Sequence, residues 1–338
     1  MENKIRIAFF EVEKWEEDYL KNKLKDFEAS FFNEKFSLEN ANLAKDCQII
    51  SSFIDSQIDK SILTQLPNLK MIATRSTGFD HIDLKEAKKN NIAVCNVPFY
   101  GENTVAEHTF ALILDISRNI RKSVQKVKEE GFAVDGLKGF DLKGKTIGIV
   151  GMGHIGQHVA RIARGFEMNV LAYDINEDKK LAQKLGFKYV DLKSLLKNSD
   201  IVSLHVPYNK STHHLINSGN IDLIKKGAYL INTARGGIIE TAALVKALGQ
   251  GILAGAGLDV LEEECFIKEE PQLLSKSFPE KCDLKTMLQN HVLIDQENVI
   301  ITPHNAFNSK EALERILDTT VLNIQSFIKD KPINIVKQ

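Results

Sequence analysis

The chain has 338 residues, of which 43% are apolar; Lys plus Arg number 44 against 45 for Asp plus Glu. That length suggests two domains, and the balanced charge argues against an electrostatic nucleic-acid binder, which carries a basic surplus. The opening MENKIRIAFFEVEKWEE flanks a short apolar run with charges on both sides, unlike a secretory signal, and no apolar stretch reaches membrane-spanning length. Cys47, Cys95, Cys265 and Cys282 form no CxxC pair, so neither a disulfide framework nor a metal site is indicated. A cytoplasmic globular protein is expected.

Short β-branched runs alternate with helical patterns, the rhythm of parallel α/β architecture. Strands are expected at Ile5–Phe9, Gln48–Phe53, Lys70–Thr74 and Ile92–Val94. Thr104-Val-Ala-Glu107 then reads as a capping box opening one long helix that runs to about Glu130. A second series of strands follows: Thr146–Val150, Asn169–Asp174, Asp200–His205, Tyr229–Asn232, Leu253–Asp259 and Val299–Thr302. They are continuously apolar, as a sheet covered on both faces requires, and six of them suit a doubly wound dinucleotide-binding domain. One amphipathic helix pattern, Lys310–Lys329, closes the chain.

The first strand of that series runs into Gly151-Met-Gly153-His-Ile-Gly156. In such a loop the first glycine permits the tight turn and the second lets backbone approach a pyrophosphate. The third allows close helix packing, and the helix N-terminus offers its free N–H groups to the phosphates. Glycine-rich turns also arise for structural reasons alone, so context matters. The next strand ends in Asp174, 18 residues past Gly156, placed to accept hydrogen bonds from ribose hydroxyls and to repel a 2′-phosphate. Ile175 and Asn176 add no cation, so NAD is favoured over NADP.

Three further sites stand after expected strand ends. Asn232-Thr-Ala-Arg235-Gly-Gly237 sets an arginine, whose donor fork suits a carboxylate and a neighbouring carbonyl, before two glycines. Asp259-Val-Leu-Glu262-Glu263-Glu264 carries a run of acids, and Thr302-Pro-His304-Asn-Ala-Phe307 a histidine directly after a strand. Each alone is as readily a surface turn or a solvated loop.

Together and in this order, VGMGHIG, NTARGG, GLDVLEEE and TPHNAF resemble the D-isomer-specific 2-hydroxyacid dehydrogenases, particularly the D-lactate dehydrogenase branch. The resemblance runs from Thr74-Arg-Ser-Thr-Gly78 to the last helix. It implies two Rossmann-like domains with doubly wound parallel sheets. An NAD domain (101–304) is inserted in a flavodoxin-like substrate domain (1–100 and 305–338). The helix from Thr104 is where this family dimerises. The resemblance assigns Arg235 to substrate binding and catalysis, His304 to acid–base work and Glu264 to partnering it, with Glu262 or Glu263 as the alternative partner. It gives cofactor contacts to His154 and Ile155, Val206, Pro207 and Thr212, Thr233 and Ala234, and makes Asp259 the carboxamide partner. Thr77 and Gly78 would hold the substrate carboxylate, while Tyr100 and Phe307 would face its side chain.

Reducing a 2-oxo acid takes a hydride from NADH and a proton for the developing alkoxide. Histidine suits the proton because its ordinary titration falls nearest working pH. An arginine beside the carbonyl stabilises charge that peaks in the transition state. The expected function is NAD-dependent interconversion of a small pyruvate-like 2-oxo acid and its D-2-hydroxy acid. Alternatives are hydroxypyruvate/glycerate or phosphoglycerate dehydrogenation, and a non-enzymatic NAD-binding regulator.

Overall fold

A computed structural model describes residues 5–263 and 283–337. In chain order the first strands and helices are β1 (Arg6–Phe9), α1 (Lys14–Lys23), β2 (Glu28–Phe31), β3 (Ile49–Ser52), α2 (Lys60–Leu63), β4 (Met71–Thr74), α3 (Leu84–Lys89) and β5 (Ala93–Cys95). Then come α4 (Glu102–Arg118), α5 (Ile120–Glu129), β6 (Thr146–Val150), α6 (His154–Gly165), β7 (Asn169–Tyr173), α7 (Lys179–Leu185), β8 (Lys188–Tyr189), α8 (Leu192–Asn198) and β9 (Ile201–Leu204). The remainder is β10 (Ala228–Asn232), α9 (Thr241–Gly249), β11 (Leu253–Leu258), α10 (Leu284–Asp295), β12 (Val299–Ile301) and α11 (Lys310–Ile328).

The chain divides into two compact units, Met1–Tyr100 with Ser309–Gln338, and Gly101–Asn308. The first carries a five-stranded parallel sheet in the order β2-β1-β3-β4-β5, the flavodoxin-like arrangement. α1 and α11 cover one face: Leu20, Leu24, Leu317, Val321 and Ile324 pack on Ile7, Phe9, Ile49 and Met71. β2 escaped the sequence reading because it is an edge strand, its Glu28 and Ser30 exposed and only Ala29 and Phe31 half-buried.

The second unit holds a seven-stranded parallel sheet, β12-β11-β10-β9-β6-β7-β8. Its strand order reverses between β6 and β9, so the loops leaving these strands flank the switch point where such sheets bind ligands. The two-residue β8, too short to show a period, is the strand added to the six expected. The crossing into the last segment falls at Ser309 rather than at residue 305. The Asp259 carboxylate binds the amides of Asn305 and Ala306, which ties that turn to the second unit.

The expected long helix also differs. It begins at Glu102, not at a Thr104 cap; Thr104 is buried within the first turn, and Glu107 accepts instead from Asn103 Nδ2 at 3.0 Å. It breaks at Asn119, which adopts φ 50°, a left-handed conformation that asparagine tolerates better than most side chains. The Ser117 carbonyl is drawn away to the Phe140 amide at 2.9 Å, and Asp115 caps the new helix by accepting from Arg121 N at 2.7 Å.

Cys47 and Cys95 are buried free thiols, burial pushing the pKa of each up to about 11; Cys265 and Cys282 lie outside the described residues. Among the described residues no helix is long and apolar enough to cross a membrane.

Candidate active site

The glycine loop follows β6. Gly151 stands at φ 99°, and a Cβ there would lie 2.6 Å from the His205 carbonyl oxygen just past β9, so only glycine fits. Gly156 serves packing: its Cβ would meet Gly151 O at 2.0 Å. Gly153 faces open space and stands at the N-cap of α6, where it has no side chain to cap the helix, and such a helix start suits an anion. His154 is exposed and Ile155 half-buried at this end. Asp174, past β7, accepts from Met152 N at 2.7 Å and Asn176 N at 2.8 Å, so its half-buried carboxylate sits against the glycine turn.

Across the switch point, Val206 packs on the glycine loop, its Cγ1 2.9 Å from a Gly151 Cβ position. Pro207 is exposed, and the Thr212 hydroxyl donates to Pro207 O at 2.6 Å while accepting from Asn209 N at 2.8 Å, closing that loop on itself. Burial holds the His205 imidazole neutral, its pKa pushed down to about 3. A cradle that a Cβ would fill, a helix start at a glycine and a strand-end carboxylate fit the diphosphate and ribose of a dinucleotide.

Arg235 is carried on the turn after β10. Fully buried Asn232 ties this turn, donating from Nδ2 to Arg235 O at 2.9 Å and accepting from Ala234 N at 3.0 Å. Thr233 is buried and Ala234 half-buried; the half-buried Arg235 extends with Nη1 on Ala234 O at 2.7 Å. A Cβ on Gly236 would fall 2.0 Å from the Leu261 carbonyl carbon, and one on Gly237 would fall 2.8 Å from the Tyr208 ring. The two glycines after Arg235 are thus wedged between neighbouring loops.

Asp259 follows β11, the strand between β10 and β12, and is 1% exposed. Its N–H donates to Asn232 O at 2.9 Å and its C=O accepts from His304 N at 2.8 Å. Its carboxylate accepts from Asn305 N at 3.0 Å, Ala306 N at 2.9 Å and the Thr302 hydroxyl, with His108 Nε2 at 3.3 Å. Burial alone raises its pKa, but the bonds from His108, Thr302 and Ala306 outweigh that and hold the group below the usual carboxylate value. His304 stands half-buried at φ 51°, a strained backbone for a side-chain-bearing residue, with Ala306 buried and Phe307 half-buried beyond it.

Glu264 lies outside the described residues. Its two neighbours are engaged elsewhere: Glu262 meets His214 Nε2 at 2.6 Å and the Thr241 hydroxyl at 2.8 Å, and Glu263 accepts from Asp283 N at 3.1 Å.

In the first unit the turn after β4 is stapled by its own groups. The Thr77 hydroxyl donates to Val97 O at 2.8 Å, Asn96 Nδ2 donates to Thr77 O at 2.8 Å, and Ser76 Oγ donates to Gly78 O at 2.6 Å. Arg75 is fully buried and donates to the Phe10 and Glu11 carbonyls at 2.7 and 2.6 Å, bracing the turn from below. Half-buried Tyr100 ends this segment, its carbonyl accepting from Arg315 Nε at 2.5 Å.

Sequence reasoning missed His108, Asn232 and Thr302, which hold the loops rather than end them. Asn232 and Thr302 carried a signal, since each begins a loop already singled out; His108, on an apolar helix, carried none.

Residues 110–306 match the model of the NAD-binding domain of D-isomer-specific 2-hydroxyacid dehydrogenases. The chain is 32% identical to the D-lactate dehydrogenase of Escherichia coli, over 96% of this chain and 97% of that protein. It is 36% identical to the glyoxylate reductase of Thermococcus litoralis, over 87% and 85%. It superimposes with a TM-score of 0.83, at 39% identity and 96% coverage of both chains, on an Aquifex aeolicus D-lactate dehydrogenase crystallised with NAD and lactic acid. On its glycine cradle, its Arg235 and His304 turns and these likenesses, the chain belongs to the D-isomer-specific 2-hydroxyacid dehydrogenases, and its second unit is their NAD-binding domain.

Proposed function

We propose that this dehydrogenase reduces a small 2-oxo acid, pyruvate foremost, to the D-2-hydroxy acid, and catalyses the reverse oxidation. One observation carries the reading. A single buried carboxylate, Asp259, fixes the His304 turn while its own N–H holds the Arg235 turn, so a proton donor and a guanidinium are set on the loops after β12 and β10, the strands on either side of its own.

Bound NADH supplies the hydride for C2 of the acid. Arg235 then binds the substrate carboxylate and stabilises the negative charge growing on the carbonyl oxygen. The His304 imidazolium gives its proton to that oxygen, and Glu264 partners the ring. One hydride and one proton add across C=O, which balances the reduction. Thr77 and Gly78 of the first unit offer amides to the carboxylate, and Tyr100 of the first unit and Phe307 of the second supply an apolar wall suited to a methyl or modest alkyl group. Glu102, half-buried at the start of α4, disfavours a phosphorylated acid. An apolar wall separates acids one methylene apart by only about 1–3 kcal/mol, so neighbouring 2-oxo acids are expected to react.

The test is kcat/KM for pyruvate, 2-oxobutyrate, glyoxylate, hydroxypyruvate, phenylpyruvate and 3-phosphohydroxypyruvate, with product chirality. A strong preference for the phosphorylated acid, or an L-product from pyruvate, overturns the assignment. A preference for glyoxylate, the acid named for the relative in Thermococcus litoralis, moves the assignment from pyruvate to glyoxylate. No NADH oxidation with any of them favours a regulator. The protein is also proposed to pair as a homodimer, a reading supported by exposed Ile120, Val124 and Val127 along α5; a monomer mass by light scattering would refute it.

A further inference from the structure

Two consecutive residues of α4 reach the two loops that carry Arg235 and His304. Thr109, fully buried, donates its hydroxyl proton to Val105 O at 2.8 Å, so at 2.9 Å it accepts from the Thr233 hydroxyl, two residues before Arg235. His108 Nε2 lies 3.0 Å from Thr302 Oγ1 and 3.3 Å from Asp259 Oδ1. The Thr302 hydroxyl gives its single proton to Asp259, so its oxygen can only accept from His108. His108 therefore carries a proton on Nε2 and donates it toward both groups.

We propose that His108 is a positioning residue for the reduction. Its Nε2–H bond seats Thr302 and the Asp259 carboxylate, and these fix the amides on the C-terminal side of His304. His304 itself stands at φ 51°, a conformation that relaxes unless its neighbours enforce it. With His108 removed, the buried carboxylate loses a donor and the turn loosens around the imidazole, while the glycine cradle keeps its own bonds from Gly151 N to Tyr173 O and from Met152 N to Asp174. The inference rests on the reading of His304 as the proton donor.

The experiment compares His108→Leu, His108→Gln and Thr302→Val in the full chain. It measures kcat, the KM for NADH and for pyruvate, and the isotope effect with NADH deuterated at the transferred position. His108→Leu is expected to lower kcat on the order of tenfold with the KM for NADH within about twofold, and to raise the isotope effect as chemistry becomes limiting. His108→Gln, which keeps an N–H donor of similar reach, is expected to restore kcat to within about threefold of the wild type. A kcat for His108→Leu within about twofold of the wild type, or a Gln variant as slow as Leu, overturns the proposal. Should the Leu variant fail to fold, Thr302→Val decides: a matching loss supports the relay, and full activity refutes it. His304→Ala run alongside separates the two claims. If it stays active, the proton-donor reading falls and takes this inference with it. If it is dead while His108→Leu is fully active, only the inference falls.

Discussion

Replacing Asp259 by asparagine changes the site more than any other isosteric substitution should. The side chain keeps its shape but offers one acceptor oxygen where there were two, and an NH2 that meets donors. In the wild type the carboxylate accepts from Asn305 N, Ala306 N, the Thr302 hydroxyl and His108. Turning either oxygen into NH2 sets at least one buried N–H or O–H against another donor. Hydrogen bonds to a charged group contribute about 1.5–3 kcal/mol each, and removing the buried charge offsets part of the loss, so a net cost of about 2–4 kcal/mol follows. For a unit of this size, about 2–4 °C per kcal/mol, the melting temperature should fall by roughly 5–15 °C. Because the folded-state pKa is depressed, the stability that Asp259 contributes is present above its unfolded value and fades as pH falls through the folded one. The gap between wild type and variant should therefore be full at pH 7 and narrow on acidification below about pH 4. Thermal unfolding across pH, with NADH oxidation at neutral pH, makes the test; kcat should fall by about 10²-fold as the His304 turn relaxes. A variant that melts within about 1 °C of the wild type at pH 7 and turns over normally would refute the central place given to this carboxylate.

His304→Ala and Arg235→Ala, provided they fold, should each cut kcat/KM for reduction by on the order of 10²-fold or more, which steady-state kinetics on pyruvate will show. Asp174→Ala should weaken NADH binding about tenfold and shrink the margin over NADPH, read by nucleotide fluorescence; a wild type that binds NADPH as well as NADH removes the basis for this. Gly236→Ala forces a methyl to within 2.0 Å of Leu261 backbone, which cannot yield as a side chain would. A loss of about 1–3 kcal/mol and a displaced Arg235 turn are expected, visible in denaturant melts and kcat together.

Much of this was legible because the decisive signals are local. Continuously apolar strands mark a sheet covered on both faces, and Gly151, Gly153 and Gly156 with Asp174 read as a cradle because each answers a backbone or hydrogen-bond need within a few residues. What was not legible depends on contacts between distant segments. Glu28–Phe31 forms a strand only because β1 pairs with it, and Lys188–Tyr189 only because β7 does. The Thr104–Glu107 pattern promised a cap, but Asn103 claims the glutamate and Gly101 starts the helix a turn earlier. No sequence window holds both Ser117 and Phe140, whose hydrogen bond helps end α4. At the site, the acidic run after Asp259 left three glutamates open; it took His214, Thr241 and the Asp283 amide to show where Glu262 and Glu263 go.

The same network bears on whether the protein is a catalyst or a sensor of NAD. A sensor needs the glycine loop, the start of α6 and Asp174, with the loops after β9, β10 and β11 that the resemblance assigns to the cofactor. It has no use for a histidine in a left-handed backbone beyond β12. Yet the fold buries a carboxylate to 1% exposure there, which in isolation costs several kcal/mol, and surrounds it with four donors, two of them the amides directly following His304. Asp259 is held ionised by these bonds against the penalty of burial, so the arrangement is stable only with the turn in place. Fixing the backbone of His304 at that cost has a physical reason if its ring must meet a substrate oxygen within a fraction of an ångström. Binding NAD gives no such reason.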